Sequence, residues 1–258
     1  MNKRFVLTAK RTRLITLATM LVCIVASMIF FLFHFGGKNT YTYSPETKIL
    51  VYHLISDETY GEYEYLFVKE ADFEAQLQEI RRLGYETVFA DELEYAKGEK
   101  IVVITFDDGY ADNYRTALPL LKKYNMKATV FLVVGLIGTD GYLTEEQIFE
   151  MQESGHFRFG SHTVTHRKLD TLSIGDIEKE LSESKTKIKA ITGSDVCALA
   201  YPNGAYNNMV ELLAEKHGYR YCYTTNIPAE PYYENTRLPR SYVVRDMQWE
   251  KFIAIFND

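Results

Sequence analysis

Positive charge is what most of this 258-residue chain is short of. Six of its 29 Lys and Arg residues fall before residue 39 and none of its 35 acidic residues does, which leaves 23 against 35 in the remainder, a net charge of −12. Phosphate backbones are held by clustered Lys and Arg, so nucleic acid is excluded as a partner. Cysteine is also scarce: Cys23 lies in the apolar N-terminus, and only Cys197 and Cys222 follow it. Those two flank strand-like segments, where one disulfide and a pair of buried thiols are equally open. No internal repeat and no low-complexity tract occurs, which excludes a solenoid. Tryptophan is reduced to one residue against 20 tyrosines, side chains able to line a groove for sugars or to serve in the core or at its rim.

Long apolar runs are missing except at one place. Leu14 to Phe35 is 22 residues without a charge, enough to cross the hydrocarbon core as a helix. Lys3, Arg4, Lys10, Arg11 and Arg13 precede it with no acid among them. This asymmetry predicts a cytoplasmic basic tail over 1–13, a single transmembrane anchor over 14–35, a linker over 36–47 and an extracytoplasmic domain over 48–258. A cleaved secretory signal would have a shorter apolar stretch closed by a small-x-small site, so an uncleaved anchor in the cell membrane is expected.

Beyond the linker, strand-like and helix-like segments alternate. Strands are expected at Lys48–His53, Glu86–Phe89, Ile101–Phe106, Lys127–Val134, Phe157–Gly160, Val196–Tyr201 and Tyr219–Thr225. Between them, helices are expected at Ala71–Leu83, from Asp91, at Tyr114–Tyr124, after a Thr144 cap, at Ser173–Thr192 and at Tyr206–His217. Such alternation predicts parallel βαβ units, an α/β fold closed as a distorted (β/α) barrel of about seven strands. Barrels of this kind carry their chemistry at the C-terminal ends of the strands. His53, Asp107, Asp108, His162 and Pro202 all fall there.

Thr105-Phe106-Asp107-Asp108-Gly109 ends the most apolar of these strands in two adjacent carboxylates. His162-Thr163-Val164-Thr165-His166 follows another, and two imidazoles at i and i+4 meet at one point if the segment curls helically. Two neutral imidazoles and a carboxylate suit a divalent metal, zinc first, with Co2+, Ni2+ or Mn2+ as alternatives. Asp108, His162 and His166 are the expected ligands. A metal lowers the pKa of bound water to about 7, so a base as weak as the Asp107 carboxylate suffices. A leaving group needs a proton from the other side, and His53 is the histidine at a strand end without another assignment.

These motifs resemble the polysaccharide deacetylases of the NodB-homology type, carbohydrate esterase family 4, from about Lys48 to the C-terminus. The resemblance implies hydrolysis of the N-acetyl group of N-acetylglucosamine units, with an Asp-His-His metal site and a separate aspartate base. It also implies that Ala200-Tyr201-Pro202-Asn203-Gly204 is a third motif. There the Asn203 N–H would stabilise the oxyanion, with Tyr206 on the substrate side. Two departures stand out. Ala200 replaces the usual Arg, and no His follows His217 to act as the late acid. Both are similar to the branch that deacetylates exported poly-β-1,6-N-acetylglucosamine in bacteria, where an early Tyr-His, here Tyr52-His53, carries the acid. In that likeness Arg240, within Leu238-Pro239-Arg240, takes over the electrostatic support of Asp107. Peptidoglycan is the alternative substrate, and a carbohydrate-binding protein on the same fold the alternative class.

Overall fold

Continuous apolar strands, whose alternate side chains face opposite sides, separate two kinds of core in this protein. The computed structural model describes residues 47–59, 61–96, 98–226 and 235–257. The strands are β1 (Thr47–Tyr52), β2 (Leu54–Ile55), β3 (Phe67–Val68), β4 (Glu86–Thr87), β5 (Ile101–Phe106) and β6 (Ala128–Leu132). They continue as β7 (Phe157–Ser161), β8 (Ala198–Ala200), β9 (Tyr221–Thr224), β10 (Leu238–Pro239) and β11 (Ser241–Tyr242). The α-helices are α1 (Glu70–Arg82), α2 (Leu118–Tyr124), α3 (Glu145–Glu153), α4 (Ile174–Thr192), α5 (Asn208–Lys216) and α6 (Trp249–Ala254). Several helix ends follow from the local sequence. Thr144 and Gln147 form a reciprocal capping box before α3. Ser173 caps α4, which stops at Gly193 in the left-handed conformation.

Nine strands form one sheet in the order β10-β9-β8-β7-β6-β5-β1-β11, with β4 beside the first half of β5. Every pairing is parallel. The two outermost strands, β10 and β11, are separated in the chain by Arg240 alone. The Arg240 N–H donates to the Thr224 carbonyl at 2.9 Å, and the Val243 N–H donates to the Val51 carbonyl at 3.0 Å. One short segment therefore covers both edges of the sheet, and the near-barrel leaves little unpaired edge there.

Successive side chains on each strand face opposite sides. Ile49, Ile101, Val103, Phe131, Ala198, Ala200, Tyr221, Tyr223 and Leu238 form the inner cluster. Leu50, Tyr52, Val102, Ile104, Phe106, Val130, Phe157 and Leu199 face the helices, where Phe73, Leu77, Leu121, Ile148, Leu181 and Val210 meet them. The inward row of β5, Ile101-Val103-Thr105, runs on into Asp107. The same alternation that builds the core thus aims this carboxylate at the barrel axis.

Four expectations are corrected. Among the described residues no helix is long and apolar enough to cross a membrane. Segment 14–35, on which the transmembrane helix is expected, lies outside the described residues, as do the tail 1–13 and all but the last residue of the linker 36–47. The fold of the described residues is therefore the near-barrel, with no spanning helix among them. Its sheet has nine strands rather than about seven, because β4, β10 and β11 are two-residue strands too short to leave a pattern. The helix expected from Asp91 is only a 3-10 turn, Leu93–Tyr95. Gly98 follows too soon for a nucleated helix to gain from propagation. The helix expected over 114–124 starts as a π-turn, Asn113–Ala117, before α2. Of the two readings left open for Cys197 and Cys222, both are buried free thiols.

Gly160 on β7 makes room for the inward Phe131 ring: a Cβ there would lie 2.5 Å from the ring and 3.0 Å from the Ala198 carbonyl. Tyr223 packs on that ring at 5.3 Å, so it has little freedom to retreat. Gly160→Ala is expected to lower stability by about 1–3 kcal/mol through overpacking, read as a fall in the urea midpoint at unchanged m-value.

Candidate active site

The residues expected to act arrive at one end of the barrel from four strands. His53 follows β1, Asp107 and Asp108 follow β5, His162 follows β7, and Tyr201 to Gly204 follow β8. All of these except Pro202 line, together with His166 and Arg240, one cleft of about 350 Å³. Asn203 is there with left-handed backbone, φ 57°, and Gly204 is required beside it. A Cβ on Gly204 would lie 2.8 Å from the Thr225 backbone nitrogen. Tyr206 does not line the cleft; its ring stacks on Tyr201 at 5.0 Å and packs against the outer core. Aromatic stacking on the third motif, rather than contact with the cleft, is what the fold gives this residue.

Asp108, His162 and His166 present one carboxylate oxygen and two ring nitrogens that all lie within 4.8 Å of one another. Asp108 Oδ1 is 3.7 Å from His162 Nε2 and 3.5 Å from His166 Nε2. These gaps are long for hydrogen bonds and natural for donors sharing a cation at roughly 2.0–2.2 Å from each. His162 Nδ1 donates to the Ala200 carbonyl at 2.8 Å, since a carbonyl can only accept. That bond fixes the tautomer and leaves the Nε2 lone pair facing Asp108. Burial lowers both His162 and His166, which keeps the rings neutral as ligation requires, while the adjacent carboxylates pull the other way. The donor set fits a divalent cation.

The two histidines do not converge through a helical turn. Thr163 and His166 instead adopt left-handed backbone, φ 71° and 59°, and fold the segment into a tight loop. Asp108 is left-handed too, at 71°. With Asn203, four of the six non-glycine residues with positive φ among those described sit around this cleft. Such conformations cost about 1–3 kcal/mol each and persist only where surrounding contacts enforce them.

Asp107 and Asp108 are neighbours with opposed electrostatics. Burial raises the Asp108 carboxyl, and the Asp107 charge adds to this against the opposing pull of His162 and a hydrogen bond from Tyr110. Burial would raise Asp107 as well, but the Arg240 guanidinium, helped by His162 and His53, holds it well below the usual carboxylate range. Arg240 Nη1 donates to Asp107 Oδ1 at 2.6 Å and Nη2 to Oδ2 at 2.7 Å. Nη1 also donates to Thr105 Oγ1 at 3.1 Å, and the guanidinium lies over Phe131 at 5.4 Å. Both partners are buried, with Arg240 only 2% exposed. Asp107 is thus an ionised, oriented carboxylate beside the Asp-His-His group, 3.8 Å from His162 Nε2.

His53 is 8% exposed. Burial lowers it to about 4, with Asp107 opposing and Arg240 adding to the drop, so the free ring is neutral at pH 7. The Asn113 side chain donates to its backbone carbonyl at 3.0 Å. The Tyr242 ring lies parallel to the His53 ring at 6.0 Å.

The cleft also has walls that the motifs do not name: Tyr63, Tyr65, Tyr110, Tyr142 and Tyr242. Tyr110 and Tyr142 stack at 4.9 Å across an isolated bridge. The abundance of tyrosine was the one sequence signal for them. Tyr110, next after Gly109, was the most accessible to motif reasoning.

Removing Arg240 leaves a buried unpaired carboxylate. Arg240→Leu is expected to cost about 3–5 kcal/mol at pH 7. Because Asp107 is depressed in the folded state, its stabilising contribution is complete above about pH 4 and fades as pH falls below that toward the folded value. In Arg240→Leu burial is left to raise Asp107, so chemical denaturation of the two proteins across about pH 2–8 should show a difference that is largest at the high end and shrinks as pH falls through the variant's raised value toward the wild type's depressed one.

Residues 94–222, half of the chain, match the polysaccharide deacetylase family. YxkH of Bacillus subtilis is 38% identical over 183 residues, 69% of this chain and 63% of that one. The poly-β-1,6-N-acetyl-D-glucosamine N-deacetylase of Staphylococcus epidermidis is 30% identical over 215 residues, 72% of this chain and 73% of that protein. The Streptococcus pyogenes deacetylase PplD, solved in complex with acetate, superposes with a TM-score of 0.74 at 30% identity, covering 81% of this chain and 97% of that one. With its strand-end carboxylates, its loop histidines and its near-barrel all in place, the chain belongs to the polysaccharide deacetylase family, hydrolases that act on N-acetyl amide bonds.

Proposed function

We propose that this protein is a metal-dependent N-deacetylase of poly-β-1,6-N-acetylglucosamine, releasing acetate and leaving a free amine on the sugar. The observation that carries this most directly is the Asp107–Arg240 pair set beside the Asp108–His162–His166 group in one cleft. Asp108, His162 and His166 would hold the divalent ion, zinc or one of Co2+, Ni2+ and Mn2+. When bound, that ion supplies Lewis-acid polarisation of the acetyl oxygen and eases ionisation of water.

The chain's own residues account for the rest. Asp107 takes a proton from the attacking water as the oxygen joins the acetyl carbon, and Arg240 keeps that carboxylate ionised and aimed. The Asn203 N–H meets the negative charge that develops on the acetyl oxygen. The C–N bond then breaks, its electron pair goes to nitrogen, and His53 delivers the proton that makes the leaving amine. His53 is neutral in the free site, so the proton it delivers is taken from solvent once substrate is bound, and the one removed by Asp107 returns to solvent as acetate leaves. The tyrosine-lined walls suit the apolar faces of pyranose rings. The Staphylococcus epidermidis relative's substrate and the early Tyr52-His53 acid favour the β-1,6 polymer. Such a polymer is met outside the cytoplasm.

Acetate release from β-1,6 and β-1,4 N-acetylglucosamine oligomers and from peptidoglycan, with and without chelator, is the test. Fastest turnover on the β-1,6 oligomer and its loss with chelator are expected. A preference for β-1,4 chains would move the substrate to peptidoglycan, and sugar binding without acetate release would leave a binding protein. Asp108→Ala should lose both metal and activity. Asp107→Asn and His53→Ala should each keep the metal while kcat falls by about 10²–10⁴. Full turnover in either variant would take that role from the residue.

A further inference from the structure

Glu180, which no motif includes, lies under the histidine loop. It sits in the first half of α4 and is 2% exposed. Its Oε2 accepts the Val164 N–H at 2.7 Å and the Thr165 N–H at 2.9 Å. Its Oε1 accepts the Thr165 hydroxyl and, at 3.1 Å, the Arg167 guanidinium. Arg167 in turn donates through Nε to Thr165 Oγ1 at 3.0 Å. Burial would raise this carboxyl, but these hydrogen bonds, with those from Thr165 foremost, hold it below the usual range. One ionised side chain thus receives four donors from the stretch that bears His166 at its centre.

The next turn of α4 adds a second hold. Ser184 Oγ shares a 2.8 Å hydrogen bond with Ser161 Oγ, which accepts the Thr163 N–H at 3.1 Å. From the other side, the Val134 N–H donates to the Thr163 carbonyl and the Gly135 N–H to the Val164 carbonyl, at 3.1 and 3.0 Å. The loop enclosed by these contacts contains both Thr163 and His166 with positive φ. For a β-branched threonine that backbone is a genuine outlier, which relaxes unless something enforces it.

We propose that Glu180 is the positioning residue of the metal site: its carboxylate fixes the left-handed loop that brings His166 to Asp108 and His162. This inference rests on the assignment of Asp108, His162 and His166 as ligands. It goes beyond that assignment because the hydrogen bonds of Glu180 go to Val164, Thr165 and Arg167 and to none of the three ligands. Its effect is therefore on metal affinity and coordination geometry.

Titration of the full chain with Zn2+ and Co2+ against a competing chelator tests this. Glu180→Ala should bind Zn2+ about 10–100-fold more weakly than wild type, with a changed visible spectrum when loaded with Co2+. Excess metal should restore much of its turnover. Glu180→Gln necessarily sets an amide N–H against one of the loop's donors, and it should lose at least about threefold in affinity while remaining better than Glu180→Ala. Should Glu180→Ala not fold, Glu180→Gln decides alone. A folded Glu180→Ala, or in its absence a Glu180→Gln, with wild-type affinity and an unchanged Co2+ spectrum overturns the proposal. Wild-type protein that bound no metal would instead sink the ligand assignment beneath it, so the two failures are distinguishable.

Discussion

The buried pair of Asp107 and Arg240 is the interaction on which both the architecture and the chemistry of this protein turn. Arg240 is the single residue between the outermost strands β10 and β11, so its backbone stands where the sheet closes on itself. Its side chain reaches inward to both oxygens of Asp107, the last member of the inward row of β5. Taking two charges out of water costs several kcal/mol per ion, and only close, bidentate geometry with further hydrogen bonds offsets that cost. Thr105, Phe131 and the two short Arg240–Asp107 contacts supply it here. The same contact that closes the barrel therefore leaves a charged, oriented carboxylate where the cleft opens.

That arrangement also separates two chemically identical neighbours. Asp107 faces the guanidinium and is driven down, whereas Asp108, turned away by its left-handed backbone, is driven up by burial beside an anion. A cation held by Asp108 and two neutral imidazoles, as proposed, would relieve that burden on Asp108. Two acids in sequence thus acquire two roles from environment alone. The strain stored at Asp108, Thr163, His166 and Asn203 belongs to the same design, since Asp108, His166 and Asn203 line the cleft and Thr163 shapes the loop that bears His166. Rigid strands and the long helix α4 hold those turns in place.

Much of this was legible in the linear chain, for local reasons. Continuous apolar runs announced β1, β5 and β6, and the Thr144, Ser173 and Gly193 signals placed helix ends correctly because caps act within a turn. The two aspartates and two histidines stood out because they follow such strands directly. The Asp91 segment misled, as its composition suits a helix but its length before Gly98 does not. The i,i+4 spacing of the histidines suggested a helical curl, and the loop reached the same convergence through left-handed residues instead. Tyr206 was drawn toward the substrate by its place after the third motif, yet its ring is taken up by Tyr201.

By itself the sequence determined the alternating parallel fold, the family, and the kinds of groups that end its strands, because each depends on neighbours a few residues apart. Tertiary structure alone decided that Glu180 supports the histidine loop and that scattered tyrosines form one wall, and it supplied the buried bidentate geometry of the Arg240–Asp107 pair that the family likeness only implied. The physical reason is that these contacts join segments far apart in the chain, or across a helix–loop boundary. Sheet register and barrel closure bring such segments together, and no local periodicity records that.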